Sequence, residues 1–324
     1  MANSDANEED NSYIITLTWA GRFGKVTAIA FGGYQKMQAA QAESLSPTLR
    51  SGTIEDAEEC GRIMFEAFHT IGPPDFPSVE VATVAARMLL SHPGFYSVVA
   101  ELDGRVAGSN FLDERSPIAG VGPITVDPVA MNRSIGRQLM VAVMDRAEQR
   151  HAPGVRLVQT AYHYRSLSLY TKLGFDTRET LSVLQGKPLA LQIPGHEVRL
   201  ATREDLPACN ELCRRIHGVD RGGELLDAIG QATVHVVERL GNITGYSTGI
   251  GLFQHAVSAT NDDLKALIGA APEFSGTGFL LPSRNGEVFR WCLAQGLRVV
   301  SQTTLMTIGL YNEPTGAYLP SITY

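Results

Sequence analysis

Small and basic residues cluster between two patterned runs, at Met131-Asn132-Arg133-Ser134-Ile135-Gly136-Arg137. The run before them, Val121-Gly122-Pro123-Ile124-Thr125-Val126, is short and apolar, as a buried strand is. The run after them carries Ile135, Leu139, Val143 and Ala147 at four-residue spacing, joined by Met140 and Met144, which makes one apolar helix face. A turn that enters a helix presents backbone N–H groups with no partner inside the helix. With the helix dipole, those donors favour an anion, and a pyrophosphate suits them. Gly136 lets a ligand approach the backbone closely, and Arg133 and Arg137 add positive charge. An ordinary strand-to-helix turn with solvated arginines shows the same spacing, so spacing alone does not choose between the two.

The elements that must position this turn form a regular series. Residues 1–47 read as an N-terminal extension, partly disordered, with β-like alternation and one hairpin between Tyr13 and Phe31. Thr53-Ile54-Glu55-Asp56 is a capping-box pattern, followed by Ala57, Cys60, Met64 and Phe68 at helical spacing. Ser78 to Ser91 predicts a second helix with Val81, Val84, Ala85 and Leu89 on one face. Tyr96–Leu102 and Arg105–Leu112 read as strands about an Asp103-Gly104 hairpin turn. Gly120–Val126 is the next strand and feeds a helix over 133–150. Val155–Ala161, a short helix over Tyr164–Lys172 and a strand over Asp176–Leu184 complete the series, α, α, β, β, β, α, β, α, β, with one further strand near Leu49.

This order and two local signatures resemble the GNAT superfamily of acetyl-CoA-dependent N-acetyltransferases. The family's cofactor turn runs Gln/Arg-x-x-Gly-x-Gly/Ala; Met131, Ser134 and Gly136 stand at those places, so the last alone keeps the family residue. Downstream, His163-Tyr164-Arg165-Ser166-Leu167-Ser168-Leu169-Tyr170-Thr171-Lys172-Leu173-Gly174-Phe175 is similar to the family pattern Asn-x-x-Ala/Ser-x-x-Leu-Tyr-x-x-x-Gly-Phe, with His163 in place of the Asn. The resemblance covers roughly 48–190. It implies an α/β fold, a mixed sheet splayed at the cofactor strand with helices on both faces.

From Lys187 to Gly195 the chain turns Pro- and Gly-containing, and then the pattern restarts. Arg199 to Asp205 echoes Arg50 to Asp56, 149 residues on, and Cys209 echoes Cys60. Asn285 to Leu297 echoes His163 to Phe175, with Cys292 where Tyr170 stands. Where the second copy should carry its cofactor turn it has Ser258 to Leu264, without glycine and with Asp262 and Asp263 to repel a pyrophosphate. Residues 196–324 thus resemble the degenerate, shorter half of tandem GNAT proteins. The final stretch, 305–324, is expected to finish the second sheet and to lie over the first domain.

The totals bound the function. The 324 residues suit two domains, and 44% hydrophobic residues supply their cores. A net charge of −7 argues against a nucleic-acid partner and weakly favours a cationic, amine-bearing substrate. No apolar run approaches the ~20 residues of a membrane span. The acidic, polar start Met1 to Asp5 is no secretory signal, so a cytoplasmic location is expected, with no membrane partner. Cys60, Cys209, Cys213 and Cys292 follow no zinc pattern and read as buried free thiols; no metal is expected. The repeat is compatible with a monomer that forms an intrachain pseudo-dimer and with a homodimer.

By resemblance, acetyl-CoA is the co-substrate, held by Val126, Arg133, Ser134, Ile135, Gly136, Arg137 and His163. The resemblance also implies that the Val126 N–H faces the thioester oxygen and that Tyr170 protonates the departing sulfur as general acid. Asp113 and Glu114, at a strand end facing the expected acceptor side, are candidates for the base, as are His69 and Asp75; water is the alternative. The reading is an N-acetyltransferase that moves the acetyl group to a primary amine of a small molecule by direct attack. The alternative is a catalytically weak GNAT-like acyl-CoA-binding or regulatory protein, for which Met131 and Ser134 speak. A protein N-terminal acetyltransferase would need an open acceptor groove, which the Gly72–Pro77 loop and the second copy argue against.

Overall fold

The computed structural model describes residues 14–21, 24–31, 46–71 and 76–323. The chain falls into two units, residues 1–46 and 47–324. In the first, strands β1 (Ile14–Gly21) and β2 (Gly24–Phe31) pair antiparallel as the expected hairpin. The rest of the expected extension up to residue 45 lies outside the described residues, as does the loop 72–75 with Asp75.

The second unit holds both repeats. The first comprises β3 (Thr48–Ser51), α1 (Ala57–Ile71), α2 (Val79–Ser91), β4 (Phe95–Leu102), β5 (Arg105–Asp113), β6 (Ala119–Val121), β7 (Thr125–Val126), α3 (Ile135–Gln149), β8 (Gly154–Thr160), α4 (Tyr164–Lys172) and β9 (Asp176–Gln185). The second comprises β10 (Glu197–Leu200), α5 (Leu206–His217), α6 (Gly222–Gly230), β11 (His235–Arg239), β12 (Asn242–Ser247), β13 (Ala256–Ser258), α7 (Asn261–Ala270), β14 (Phe279–Pro282), α8 (Gly286–Ala294), β15 (Arg298–Gly309) and β16 (Ala317–Leu319).

One device starts both repeats. The Arg50 guanidinium grips both oxygens of Asp56 at 2.7 Å, and Asp56 Oδ2 accepts the Thr53 N–H at 2.8 Å. Arg199, Asp205 and Thr202 reproduce this with distances of 2.8, 2.9 and 2.7 Å. A second carboxylate is also repeated, Glu101 on Arg50 and Glu238 on Arg199. The helix that follows buries Cys60 in one case and Cys209 in the other. All four cysteines are free and buried, and burial pushes the Cys60 thiol up to about 11 and the Cys209 thiol to about 12.

The sequence places the wrong face of α2 inside. Ala82, Thr83, Ala86 and Leu89 are buried, whereas Val81 and Val84 are exposed. The reason is a close crossing: a Cβ on Gly61 would stand 2.5 Å from Thr83 Cα, so only small side chains fit between α1 and α2. Asp103 and Gly104 both adopt positive φ, 54° and 73°, as a tight hairpin between β4 and β5 requires.

The larger sheet has nine strands in the order β14-β9-β15-β8-β6-β5-β4-β3, with β7 paired to β5. Strand β15, from the second repeat, lies antiparallel between β8 and β9 of the first, and β14 pairs with β9. Of the stretch 305–324 expected to finish the second sheet, residues 305–309 instead sit inside the first as the end of β15, while β16 does complete the second; the two repeats share the larger sheet. Period-2 alternation marks a strand but not its neighbour, which explains the miss. The smaller sheet runs β10-β11-β12-β13-β16.

Layers cover both faces of the large sheet. Leu139, Met140, Val143, Leu157, Tyr170, Phe175 and Met306 form one core beneath α3 and α4. On the opposite face, Ile118, Leu181, Val183, Leu252, Leu280 and Leu305 form another. Strand alternation fixes which residues look each way: Leu305 stands opposite Val158, and Met306 opposite Leu157. No helix among the described residues is long and apolar enough to cross a membrane.

Candidate active site

The sheet opens between β7 and β8. Residues 119–121 of β6 pair in parallel with 155–157 of β8, but the next strand residues, Thr125 and Val126, pair with β5 instead. The Asp127 N–H donates to Ala107 O of β5 at 2.9 Å. Backbone donors alternate along a strand, so the Val126 N–H points the other way, into the opening. A cleft of about 460 Å³ occupies this gap. Its walls include Val121 to Val126, Met131, Asn132, Ser134 to Arg137, Leu157 to Thr160, Tyr162, His163, Arg165, Ser166, Leu169 and Tyr170.

At one end lies the start of α3. Asp127 holds the turn in place: its Oδ1 accepts the Val129 N–H at 2.9 Å, and its Oδ2 accepts from Arg62 of α1 at 2.8 Å. Asn132 and Ser134 have φ of 70° and 60°, and Ser134 is the residue that caps α3. Glycine takes this left-handed conformation freely, whereas serine does so at a cost of roughly 1–2 kcal/mol. The backbone shape is thus retained although the glycine is not. A Cβ placed on Gly136 would meet Val126 Cγ2 at 3.6 Å and Leu169 Cδ2 at 3.9 Å, ordinary contacts. Packing does not require glycine here; a side chain would instead occupy cleft space over the helix start. Free N–H donors, a helix dipole and this bare surface fit a pyrophosphate.

The charges around the turn differ from the sequence expectation in one place. Arg137 lines the cleft, but Arg133 is exposed and is not among the lining residues. Arg165, which the sequence reading passed over, lines it instead and donates to Asn132 Oδ1 at 2.5 Å. Its place as the second residue of α4 brings it across to the turn before α3, a juxtaposition of two segments that linear spacing hides. Ile135 lines the cleft and is also core, at 1% exposure.

Tyr170 and His163 project from α4 and its start. Tyr170 is buried against Phe175, with ring centroids 6.2 Å apart, and lines the cleft. Its hydroxyl makes no hydrogen bond among the described residues, and burial pushes the phenol well above its ordinary value. It is therefore protonated at neutral pH and has a proton to give. Burial, and secondarily the nearby Arg165 charge, lowers the His163 imidazole below its usual value, which keeps it neutral. The His163 carbonyl accepts from Gln159 Nε2 at 3.0 Å and Ser166 Oγ at 2.9 Å, fixing the chain just before α4.

Gln159 was not singled out from sequence. It is 2% exposed and lines the cleft; its amide nitrogen also donates to Thr160 O and Ser166 Oγ, while its Oε1 is buried with no partner among the described residues. A glutamine closing a largely apolar strand run, Val155, Leu157 and Val158, was the available signal.

The candidate bases are a correction. Asp113 forms a two-pronged ion pair with Arg115 at 2.9 and 2.6 Å. Glu114 accepts from Arg146 at 2.7 and 3.1 Å and from Arg150 at 2.5 Å. Burial alone would raise the Glu114 carboxyl, but the two guanidiniums outweigh it and hold it below the usual range. Neither residue lines the cleft, and both are committed to arginines. His69 is exposed and stacks on Phe65, also away from the cleft walls.

The second repeat is built differently at the corresponding place. Strand β16 pairs along β13, at the edge that corresponds to β7. At the start of α7, the buried Asp263 carboxylate accepts the Thr260 N–H at 3.0 Å and the Thr260 hydroxyl at 2.6 Å. A carboxylate of the chain itself thus fills the helix start that a phosphate would need.

Comparison with known proteins agrees with this geometry. Residues 62–175 match the model of the acetyltransferase (GNAT) family. A mycothiol acetyltransferase of Nocardia farcinica is 36% identical over 63 residues, 19% of this chain and 21% of that relative, so the match spans about a fifth of its length. Among solved structures, a putative acetyltransferase from Pyrococcus horikoshii superposes with a TM-score of 0.69 at 15% identity, over 86% of this chain and 96% of that one. A tandem GNAT protein from the clavulanic acid biosynthesis pathway gives 0.53 at 13% identity, over 81% and 98%. At these identities the structural likeness speaks for the fold, across both repeats. Residues 62–175 are thus a stretch that matches the GNAT acetyltransferase family, within a fold that both repeats share with solved acetyltransferase structures.

Proposed function

We propose that the chain is an acetyl-CoA-dependent N-acetyltransferase acting on a primary amine of a small molecule, with one active site, in the repeat 48–190. Residues 196–324 are its degenerate copy, and the protein is cytoplasmic. The observation that carries the reading is the opening between β7 and β8, with a helix start at one end and the Tyr170 hydroxyl on its wall.

Acetyl-CoA supplies an activated acetyl group as a thioester. The N–H groups at Ser134 to Arg137, with Arg137 and Arg165, hold its pyrophosphate. The Val126 N–H donates to the thioester oxygen as negative charge develops there. Tyr170 gives its proton to the departing sulfur. In the balance, the amine nitrogen bonds to the acetyl carbon, the carbon–sulfur bond breaks, and the amine loses a proton while the thiol gains one. With Asp113 and Glu114 held in ion pairs, water takes the amine proton. The similarity of one segment to a mycothiol acetyltransferase of Nocardia farcinica supports acetyl transfer.

The second reading, a GNAT-like acyl-CoA-binding protein with little catalysis, rests on Met131 and Ser134 in the turn and on the exposure of Arg133. Release of free thiol from acetyl-CoA across a panel of amines separates the two. The enzyme reading expects release that requires an amine and equals the acetylated product formed. Tight acetyl-CoA binding with no amine-dependent release supports the binding protein.

A further inference from the structure

The end of the cleft away from α3 has hydrocarbon walls, part of them supplied by the second repeat. Phe68 of α1, Val158 of β8, Leu252 and Ile322 line it. Val158, Leu252 and Ile322 belong to the core on the sheet face opposite α3 and α4. Phe68, Val158 and Ile322 are half-buried, so each keeps carbon surface for a ligand. Thr303 of β15 also lines the cleft, but its hydroxyl oxygen is buried; Ser301 adds an uncharged edge. The wall is fixed in place. The Ile322 N–H donates to Leu252 O at 2.7 Å, and the preceding Ser321 accepts from the buried Arg221 at 3.1 Å. A Cβ on Gly120 would collide with Thr323 O, so glycine there lets the segment that carries Ile322 lie against β6.

The charges that line the cleft are of one sign. Among the described residues they are the guanidiniums of Arg137, on α3, and Arg165, which is bonded to Asn132 in the turn before α3. A guanidinium repels an ammonium ion. Asp113 and Glu114 stand off the cleft, in their arginine pairs. An ammonium ion pressed against hydrocarbon without a carboxylate is far costlier than the free amine, and such a group sheds its proton instead. The net charge of −7 does not offset this, because exposed charges are screened beyond about 8 Å. Aliphatic amines hold their proton at neutral pH, as lysine does. An aromatic amine shares its lone pair with the ring, is uncharged at pH 7 and can attack the thioester without a base. Once bonded to the acetyl carbon, its nitrogen is cationic and releases its proton to water, as Tyr170 gives one to the sulfur.

Building on the acetyltransferase reading above, we propose that the acceptor binds uncharged and is an aromatic amine, its flat apolar ring seated against Phe68, Val158, Leu252 and Ile322. The probes are aniline and cyclohexylamine, six-membered rings that differ in charge at neutral pH. Their binding to the full-length protein saturated with coenzyme A is followed by ligand-observed NMR, which needs no turnover. At pH 7 aniline is expected to bind at least about tenfold tighter. Between pH 7 and 9 cyclohexylamine should tighten about tenfold per pH unit, as its neutral fraction grows, while aniline stays level. Ile322→Asp, which sets a carboxylate in the wall, should reverse the order at pH 7, and the uncharged Ile322→Asn should not. Cyclohexylamine that binds as tightly as aniline at pH 7 overturns the proposal, as does binding of neither. So does cyclohexylamine binding that Asp75→Asn abolishes, since a carboxylate would then hold the ammonium ion. The pH series on the parent protein decides the matter even where Ile322→Asp does not fold. Coenzyme A is titrated first, without amine. Failure to bind it defeats the acetyltransferase reading and the proposal with it, whereas coenzyme A binding with the ammonium ion preferred defeats the acceptor class alone.

Discussion

Gly136→Asp separates a fold requirement from a ligand requirement, because the two predict opposite signs. The residue is second in α3, and a Cβ there touches only Val126 and Leu169 at ordinary distances. An acidic side chain in the first turn complements the helix dipole by about 0.3–1 kcal/mol and removes the helix penalty of glycine. The folded protein should therefore melt at the same temperature or a few degrees higher. Binding should move the other way. The new carboxylate would lie about 5 Å from a doubly charged pyrophosphate, and Coulomb's law gives about 0.8 kcal/mol per charge in water and about 3 at an intermediate effective dielectric. The position is half exposed, which favours the lower part of that range, so roughly 2–3 kcal/mol in total, or about 30- to 150-fold in Kd. Calorimetric titration with acetyl-CoA measures the loss, and a thermal melt measures stability. Gly136→Ala, which adds bulk without charge, should lose less. Affinity within threefold of the parent, with the fold intact, would refute the assignment of this turn to the pyrophosphate.

Tyr170→Phe keeps the ring on Phe175 but removes the proton donor; kcat should fall by about 10²–10⁴-fold with little change in KM for acetyl-CoA, and a kcat within threefold of the parent makes Tyr170 a packing residue. Ser134→Gly relieves a left-handed serine and should raise stability by about 0.5–1 kcal/mol with acetyl-CoA affinity retained; a lower melting temperature would show that the serine is not strained. Arg199, chiefly through its hydrogen bonds, holds the Asp205 carboxyl at about 2. A folded value below the unfolded value, about 3.9, means stability that is present above that pH and lost as pH falls through about 2. Asp205→Asn should lower stability at pH 7 by on the order of 1–2 kcal/mol and flatten the acid limb between pH 4 and 2 in urea melts; an unchanged acid limb would assign that limb to other carboxylates.

The order of elements up to Gln185 was legible because each helix and strand carries its own period and its own caps, down to the Thr53–Asp56 box and its copy at Thr202–Asp205. Partnerships across the chain were not. Nothing local tells Glu114 that Arg146 and Arg150 will reach it, so a strand-end carboxylate read as a base is a bound anion. The insertion of β15 between β8 and β9 is equally silent, since its side chains alternate alike beside either neighbour. That insertion brings Thr303 to the cleft, which no motif could announce. Ser134 shows the converse: a substituted signature position whose backbone angle preserves what the signature encodes. The acidic start of α7 was readable in Asp262 and Asp263, but the capping box of Thr260 with Asp263 and the pairing of β16 along β13 needed the folded chain.

The proposed reaction needs one acetyl-CoA site, in the first repeat, with Tyr170 at the sulfur. A crystal structure of the full-length protein with coenzyme A is the sharpest test. One coenzyme A per chain is expected, its pyrophosphate within hydrogen-bond distance of the Ser134 to Arg137 N–H groups and its sulfur beside the Tyr170 hydroxyl. Coenzyme A at the start of α7, or in the first cleft with its sulfur remote from Tyr170, would contradict it.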